Sequence, residues 1–288
     1  MTVEIVVVVS DLDPVARGVA TAWGTLPAGE GHLDGAVLRR LSDTVVVVRR
    51  PGLHIHDEDL DQRLPEPIRR DHPTLIFPSI HRSKENVASL TVHPLGNVGP
   101  SAAMGGRART LVPADPRRMA MALRRLKEGS GALGVDATYE ATHHGPALGL
   151  PAFFIEIGSG ETTEPRPEAV GLLARLIPEI RPTTGDRIAL GVGGGHYVPH
   201  FTELALERRW AFGHLLSRHA LEQLDRNTAV AAYSLTPGAE GIVFSRAQDA
   251  QHPALEGLGP RLRDQDAPAA VRSAGDATTS GGRSASGT

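Results

Sequence analysis

Apolar positions along this chain fall into strand-like and helix-like runs that alternate. Residues 3–9 are β-branched and nearly unbroken, the pattern of a strand buried on both faces. The run ends at Ser10-Asp11-Leu12-Asp13-Pro14, where Asp13 is suited to cap a helix and Pro14 to open it. Residues 44–49 and 74–77 repeat the strand pattern, with a short, acidic-start helix predicted over 57–64. Residues 115–128 predict an amphipathic helix capped by Asp115, with Met119, Leu123 and Leu126 on one face. In the second half, strands over 137–142, 152–157 and 187–192 alternate with helices over 164–180, 202–210 and 218–224. This order predicts an α/β fold with a mixed, mainly parallel sheet and helices on both faces. From about residue 246 Pro, Gly, Ala, Ser, Asp and Arg take over, and 273–288 hold no large apolar residue. Such a segment buries too little surface to offset its ordering entropy. The expectation is one catalytic domain over 1–246 and a disordered, low-complexity tail over 247–288.

Composition narrows the chemistry. Aromatics are only 4% of the chain, so the core rests on Val, Leu, Ile and Ala. The formal net charge of -3 lacks the basic excess of a general polyanion binder, and no DNA partner is expected. Cysteine is absent, which rules out disulfides, thiolate nucleophiles and Cys-ligated zinc; any metal must be held by His and carboxylates. The N-terminus lacks the basic start of a signal peptide, and no apolar segment approaches the roughly 20 residues of a membrane helix. A cytoplasmic protein with no membrane contact is expected.

Two loops concentrate candidate chemistry, and each follows a predicted strand, where ligands bind in sheets of this class. The first is Tyr139-Glu140-Ala141-Thr142-His143-His144-Gly145-Pro146. On an extended segment adjacent side chains point oppositely, so His143 and His144 are expected to have different tasks. Adjacent loop histidines are more often surface hydrogen-bonding residues, but the strand-to-loop position and the Gly-Pro turn weigh towards a site. The second loop runs from Gly191 through Gly193-Gly194-Gly195-His196-Tyr197 to His200. Three glycines allow close backbone approach and an anion-binding nest, with His196 at its rim and Tyr197 placed to stack or donate; a tight turn is the plainer explanation. The dinucleotide fingerprint fails, because His196 stands where its third glycine belongs. Glu156 sits inside the apolar strand 152–157, so it needs a partner or serves a site with a shifted pKa. His81 and His93 border apolar strands and are further candidates. The spacing of His54 and His56 is metal-like but opens an acidic, exposed stretch, and His214 reads as a helix-end residue.

Taken together, His81-Arg82-Ser83-Lys84, Leu90-Thr91-Val92-His93 with Gly96-Asn97, the Tyr139–Pro146 loop and the Gly193–Pro199 loop occur in an order that resembles the archaeal and plant type of D-aminoacyl-tRNA deacylase. The resemblance spans roughly residues 3–224. It implies a fold like that of nucleoside phosphorylases and peptidyl-tRNA hydrolases, a zinc requirement, and a place in translation quality control. It also implies hydrolysis of the ester joining a D-amino acid to the tRNA 3′ end. Under it, His143 or His144 with His196 positions the water, as general base or through zinc, with His93, His143 and His196 as the metal set. The amides of Gly193, Gly194 and Gly195 hold the oxyanion or the terminal ribose-phosphate. Glu156 orients an imidazole or completes a metal site. Tyr197, Lys84 and Arg82, with Arg107 and Arg109, contact the acceptor end, and a monomer is expected. The rival readings are a nucleoside phosphorylase or peptidyl-tRNA hydrolase on a related fold, or a non-catalytic tRNA- or metal-binding protein.

Overall fold

A computed structural model describes residues 2–82, 88–159 and 164–269. The first half runs β1 (Ile5–Ser10), α1 (Pro14–Ala22), β2 (Ala28–Leu33), β3 (Ala36–Arg40), β4 (Val45–Arg50), α2 (Glu66–Arg70), β5 (Thr74–Arg82), β6 (Ser89–Pro94), β7 (Gly96–Asn97) and β8 (Thr110–Leu111). The second runs α3 (Pro116–Leu133), β9 (Asp136–Tyr139), β10 (Ala152–Ser159), α4 (Pro167–Leu176), β11 (Arg187–Val192), α5 (Pro199–Glu207), β12 (Trp210–Leu216), α6 (Arg218–Leu221), α7 (Arg226–Ser234), β13 (Ile242–Phe244) and β14 (Arg261–Leu262).

The main sheet has eight strands in the order β2-β3-β4-β1-β5-β10-β6-β9, and a second, four-stranded sheet runs β12-β11-β13-β14. The second is parallel throughout, while the first mixes parallel pairs with the antiparallel β2-β3, β3-β4 and β6-β10 pairs. This is the mixed, mainly parallel α/β architecture that the apolar pattern predicts. β1 shows why its valine run is unbroken: Ile5, Val7 and Val9 pack into the core beneath α1, α3 and α4, while Val6 and Val8 pack into the core on the opposite face. The Asp13 side chain accepts from the Ala16 amide at 2.9 Å and Asp115 from the Arg118 amide at 3.0 Å, so both predicted caps form.

Three expectations change. Residues 57–64 form no α-helix; two 3₁₀ turns, His54–His56 and Leu60–Arg63, occupy this stretch. The helix over 202–210 is α5, ending at Glu207, and Trp210 opens the buried strand β12, which carries His214. The tail expected from 247 is ordered as far as residue 269. β14 extends the second sheet, Ala267 is fully buried, and Trp210 Nε1 donates to the Asp264 carbonyl at 2.9 Å. Main-chain pairing holds this segment together with Leu255, buried in the second sheet's core, and Leu258 and Leu262 packed beside core residues. Residues 270–288 lie outside the described residues.

Candidate active site

Strand alternation builds the floor of the site. On β10, Phe153, Ile155 and Ile157 enter the helix-covered core, which leaves Phe154 and Glu156 on the other face. The neighbouring strands deliver histidines to that face. His93 on β6 stands opposite Phe154, its ring stacked at 5.1 Å and 3°, and His81 on β5 pairs with Gly158, two residues beyond Glu156 and so on the same face. Glu140 follows β9, and His196 follows the glycines after β11; the Ala141 amide donates to the His196 carbonyl at 2.8 Å, locking the two loops together.

A cavity of about 950 Å³ opens here, with His81, Arg82, His143, His144, Glu156, Gly195, His196 and Tyr197 in its walls and the buried His93 and Glu140 behind them. Its buried carboxylates organise it. Glu156, 3% exposed, lies 3.4 Å from His81 Nδ1 and 3.7 Å from His93 Nε2. Glu140, fully buried, lies 3.2 Å from His196 Nε2, 3.6 Å from His143 Nε2 and 3.5 Å from His81 Nδ1, yet neither of its oxygens has a well-aligned hydrogen bond. Burial pushes the Glu156 carboxyl up, but His81 and His93 override it and hold it well below the usual carboxylate range. Glu140 is likewise held down against burial, by His196 first and by the charge of His93 and His81. Burial lowers His81 and His93, and Glu156 more than compensates, raising both.

His143 and His144 behave differently. Burial, then the neighbouring imidazoles, push His143 well below its ordinary value; burial and the charge of His93 bring His144 to about 4. Both are neutral near pH 7. Nδ1 of His143 lies 2.8 Å from the Ala141 carbonyl, Nδ1 of His144 2.8 Å from the Gly145 carbonyl, and Nδ1 of His93 3.2 Å from the Pro94 carbonyl. In His143 and His144, held neutral, a carbonyl partner places the proton on Nδ1 and leaves Nε2 as a lone-pair donor, while Nε2 of His93 faces Glu156 and would have to give up its proton to bind a metal. One ring nitrogen of each of these three residues lies within 4.8 Å of the others. Three ring nitrogens gathered this closely can converge on one ion with N ligands near about 2.0–2.1 Å. The chemistry of this donor set fits zinc.

Several expected roles shift. His143 and His144 do not point apart: His144 has φ +43°, which breaks the extended alternation, and the two rings meet at 4.4 Å. The expected metal set of His93, His143 and His196 does not fall in one cluster: His196 clusters with His81 and Glu140, His144 joins His93 and His143, and a third cluster of His93, Glu140 and Glu156 links the two. The Gly193 amide donates to the Leu216 carbonyl and its α-carbon faces Ser245 and Asp249, so it cannot serve an oxyanion; of the three glycines only Gly195 lines the cavity. Arg107 is paired with Asp59, and Arg109 with Asp225 at 2.8 Å. Lys84 lies outside the described residues. His54 is buried edge-on against Phe77 and Phe154 rather than sharing a strand face with His56. His214, also buried, anchors the first loop: Thr142 Oγ1 lies 3.1 Å from its Nδ1 and accepts from the Leu215 amide at 3.0 Å.

Glu140 received no role from the sequence, although it falls inside the predicted strand 137–142, the same signal that marked Glu156 inside 152–157.

Comparison with known proteins agrees with this geometry. Residues 68–259 match the model of the D-aminoacyl-tRNA deacylase family. A D-aminoacyl-tRNA deacylase of Thermoplasma acidophilum is 39% identical over 173 residues, 60% of this chain and 67% of the relative. One from Methanosarcina mazei is 36% identical over 229 residues, 78% of this chain and 76% of the relative. Among solved structures, a conserved protein of unknown function, AF0625, superposes with a TM-score of 0.79 at 28% identity, covering 92% of this chain and 96% of its own. The family match spans most of the chain and includes both carboxylates together with His81, His93, His143, His144 and His196, and on that ground this chain belongs to the D-aminoacyl-tRNA deacylase family.

Proposed function

We propose that the chain hydrolyses the ester between a D-amino acid and the 3′ adenosine of tRNA, releasing free D-amino acid and tRNA, with Glu140 and His196 as its proton-handling pair. The observation that carries the reading is the 3.2 Å approach of half-exposed His196 to fully buried Glu140 at the wall of the cavity. Held through Nε2 by the carboxylate, the imidazole turns Nδ1 to the cavity. There it takes a proton from water as the water oxygen bonds to the ester carbonyl carbon. It returns that proton to the ribose oxygen as the carbon–oxygen bond to the ribose breaks. Glu140 keeps the ring oriented and stabilises its charged form. His81 and Glu156 close the same network from below, and Gly195 and Tyr197 border the reacting centre.

His93, His143 and His144 would hold zinc, with Glu156 beside His93. Zinc so held supplies Lewis acidity to an ester carbonyl. Arg82, on the cavity wall, is placed for the negative backbone of the acceptor end. The substrate places the work with translation in the cytoplasm. Among the described residues no helix is long and apolar enough to cross a membrane.

The test is deacylation of matched D-Tyr-tRNA and L-Tyr-tRNA, with and without a chelator. The reading expects release of D-Tyr only, abolished by the chelator and restored by zinc. An enzyme that leaves D-Tyr-tRNA intact in the presence of zinc refutes it.

A further inference from the structure

Among the described residues four large apolar side chains are exposed, and three of them, Leu12, Leu53 and Met104, line the catalytic cavity; Ile55 joins them there. Their exposures of 58%, 41% and 59% place them at the mouth rather than the floor. Apolar groups kept in water at one opening mark a binding surface.

The structure holds them in place. Ser10, fully buried, accepts the Leu12 amide on its hydroxyl at 3.1 Å and donates to the Gly52 carbonyl at 2.9 Å, which ties Leu12 to the residue before Leu53. Met104 rides on a strap that its neighbours clamp. Glu58 accepts the Gly106 amide on one oxygen and the Ala147 amide on the other, each at 2.6 Å, and Asn97 donates to the Gly105 carbonyl at 2.8 Å. Gly105 has φ +77°, and a Cβ there would lie 1.7 Å from the Ile55 carbonyl oxygen, so the strap sits against the segment that carries Ile55. The Met104 carbonyl accepts the Gly145 amide at 3.3 Å, which sets the apolar side of the mouth beside His144. Tyr197 packs instead on His81 and His196.

We propose that Leu12, Leu53, Ile55 and Met104 form a platform for the terminal base of the tRNA acceptor end. The proposal rests on the deacylase reading. The amino acid is the free end of that substrate and enters deepest, so the side chains at the mouth meet the group on the far side of the ester, the terminal adenosine. A base is the part common to every D-aminoacyl-tRNA, and its flat face suits Leu, Ile and Met side chains that carry no hydrogen-bonding demand of their own.

The experiment has two arms, using Leu53→Ser and Met104→Ser, which change exposed side chains. In the first, KM and kcat are measured on D-Tyr-tRNA and D-Asp-tRNA. KM should rise about five- to tenfold per substitution, by the same factor for both amino acids, with kcat within about twofold of wild type. An unchanged KM overturns the platform, and so does a rise confined to D-Tyr-tRNA, which would show that the mouth reads the amino-acid side chain. In the second arm, a CCA trinucleotide ending in 2-aminopurine is titrated into the zinc-loaded chain without any turnover. Wild type should quench its fluorescence and each variant should weaken binding by a similar factor; equal binding to wild type and variants overturns the proposal. Because this arm needs no hydrolysis, an inactive wild type that still binds the probe through these residues refutes the deacylase reading alone.

Discussion

His93, His143 and His144 turn Nδ1 of each ring onto a main-chain carbonyl and, for His93 and His143, keep Nε2 at 3.7 and 3.6 Å from a carboxylate, whereas His81 and His196 approach carboxylates more closely, at 3.4 and 3.2 Å. The difference assigns them different work. A ring fixed by a carbonyl keeps its outer nitrogen as a lone pair and suits a metal, and His143 and His144 are moreover neutral near pH 7. A ring held by a buried carboxylate is stabilised when it gains a proton, which suits proton transfer at the reacting ester. Adjacency in the sequence does not decide this division; the carbonyl or carboxylate that each ring meets does.

The largest expected effect separates the groups most cleanly. His143→Ala should lose zinc and lower D-Tyr-tRNA turnover by about 10³-fold or more, read by metal analysis and single-turnover kinetics. His196→Ala should lower kcat by about 10²–10⁴-fold while zinc content stays at the wild-type level. If His196→Ala lost the metal too, the two groups would be one. A smaller effect is expected at the strap: Glu58→Gln weakens the acceptor for the Gly106 and Ala147 amides and should cost about 1–2 kcal/mol of stability in denaturant unfolding. It should also reduce kcat modestly, because Ala147 follows the His143–His144 loop.

Acid sharpens the contrast through His214, which holds that loop by Thr142 and which burial brings to about 4. Its folded value is depressed, so between about pH 6.5 and pH 4 the unfolded chain binds a proton that the folded chain does not. Stability should therefore fall as pH drops through that window, by at most about 1.4 kcal/mol per pH unit from this group. The loss should be complete near pH 4. His214→Gln should flatten the slope, measured as the midpoint of urea unfolding against pH; an unchanged slope would mean that His214 titrates normally.

Much of this was legible in the chain. Continuous apolar runs and helical patterning located β1, β4, β5, β10, β11 and α3, and Asp13 and Asp115 announced their helices. The glycine-rich edge strand β2 and its short neighbour β3, Ala-Val-Leu-Arg-Arg, lack that signal, since the sheet's ladder more than side-chain burial forms them. β12 was hidden because Trp-Ala-Phe-Gly-His-Leu-Leu is apolar at every position except His214, so periodicity cannot tell strand from helix there. In the site, the two loops and Glu156 were legible from position, as was the candidacy of His81 and His93. The positive φ of His144 and the spent amide of Gly193 depend on tertiary contacts, and neither local spacing nor residue type encodes them.

The division between the two groups is tested most directly by measuring bound zinc and D-Tyr-tRNA turnover side by side in Glu140→Gln and His144→Ala. The account predicts that Glu140→Gln retains its zinc and loses at least about 10²-fold in kcat, while His144→Ala loses zinc and activity together. Zinc lost from Glu140→Gln and kept by His144→Ala would contradict it.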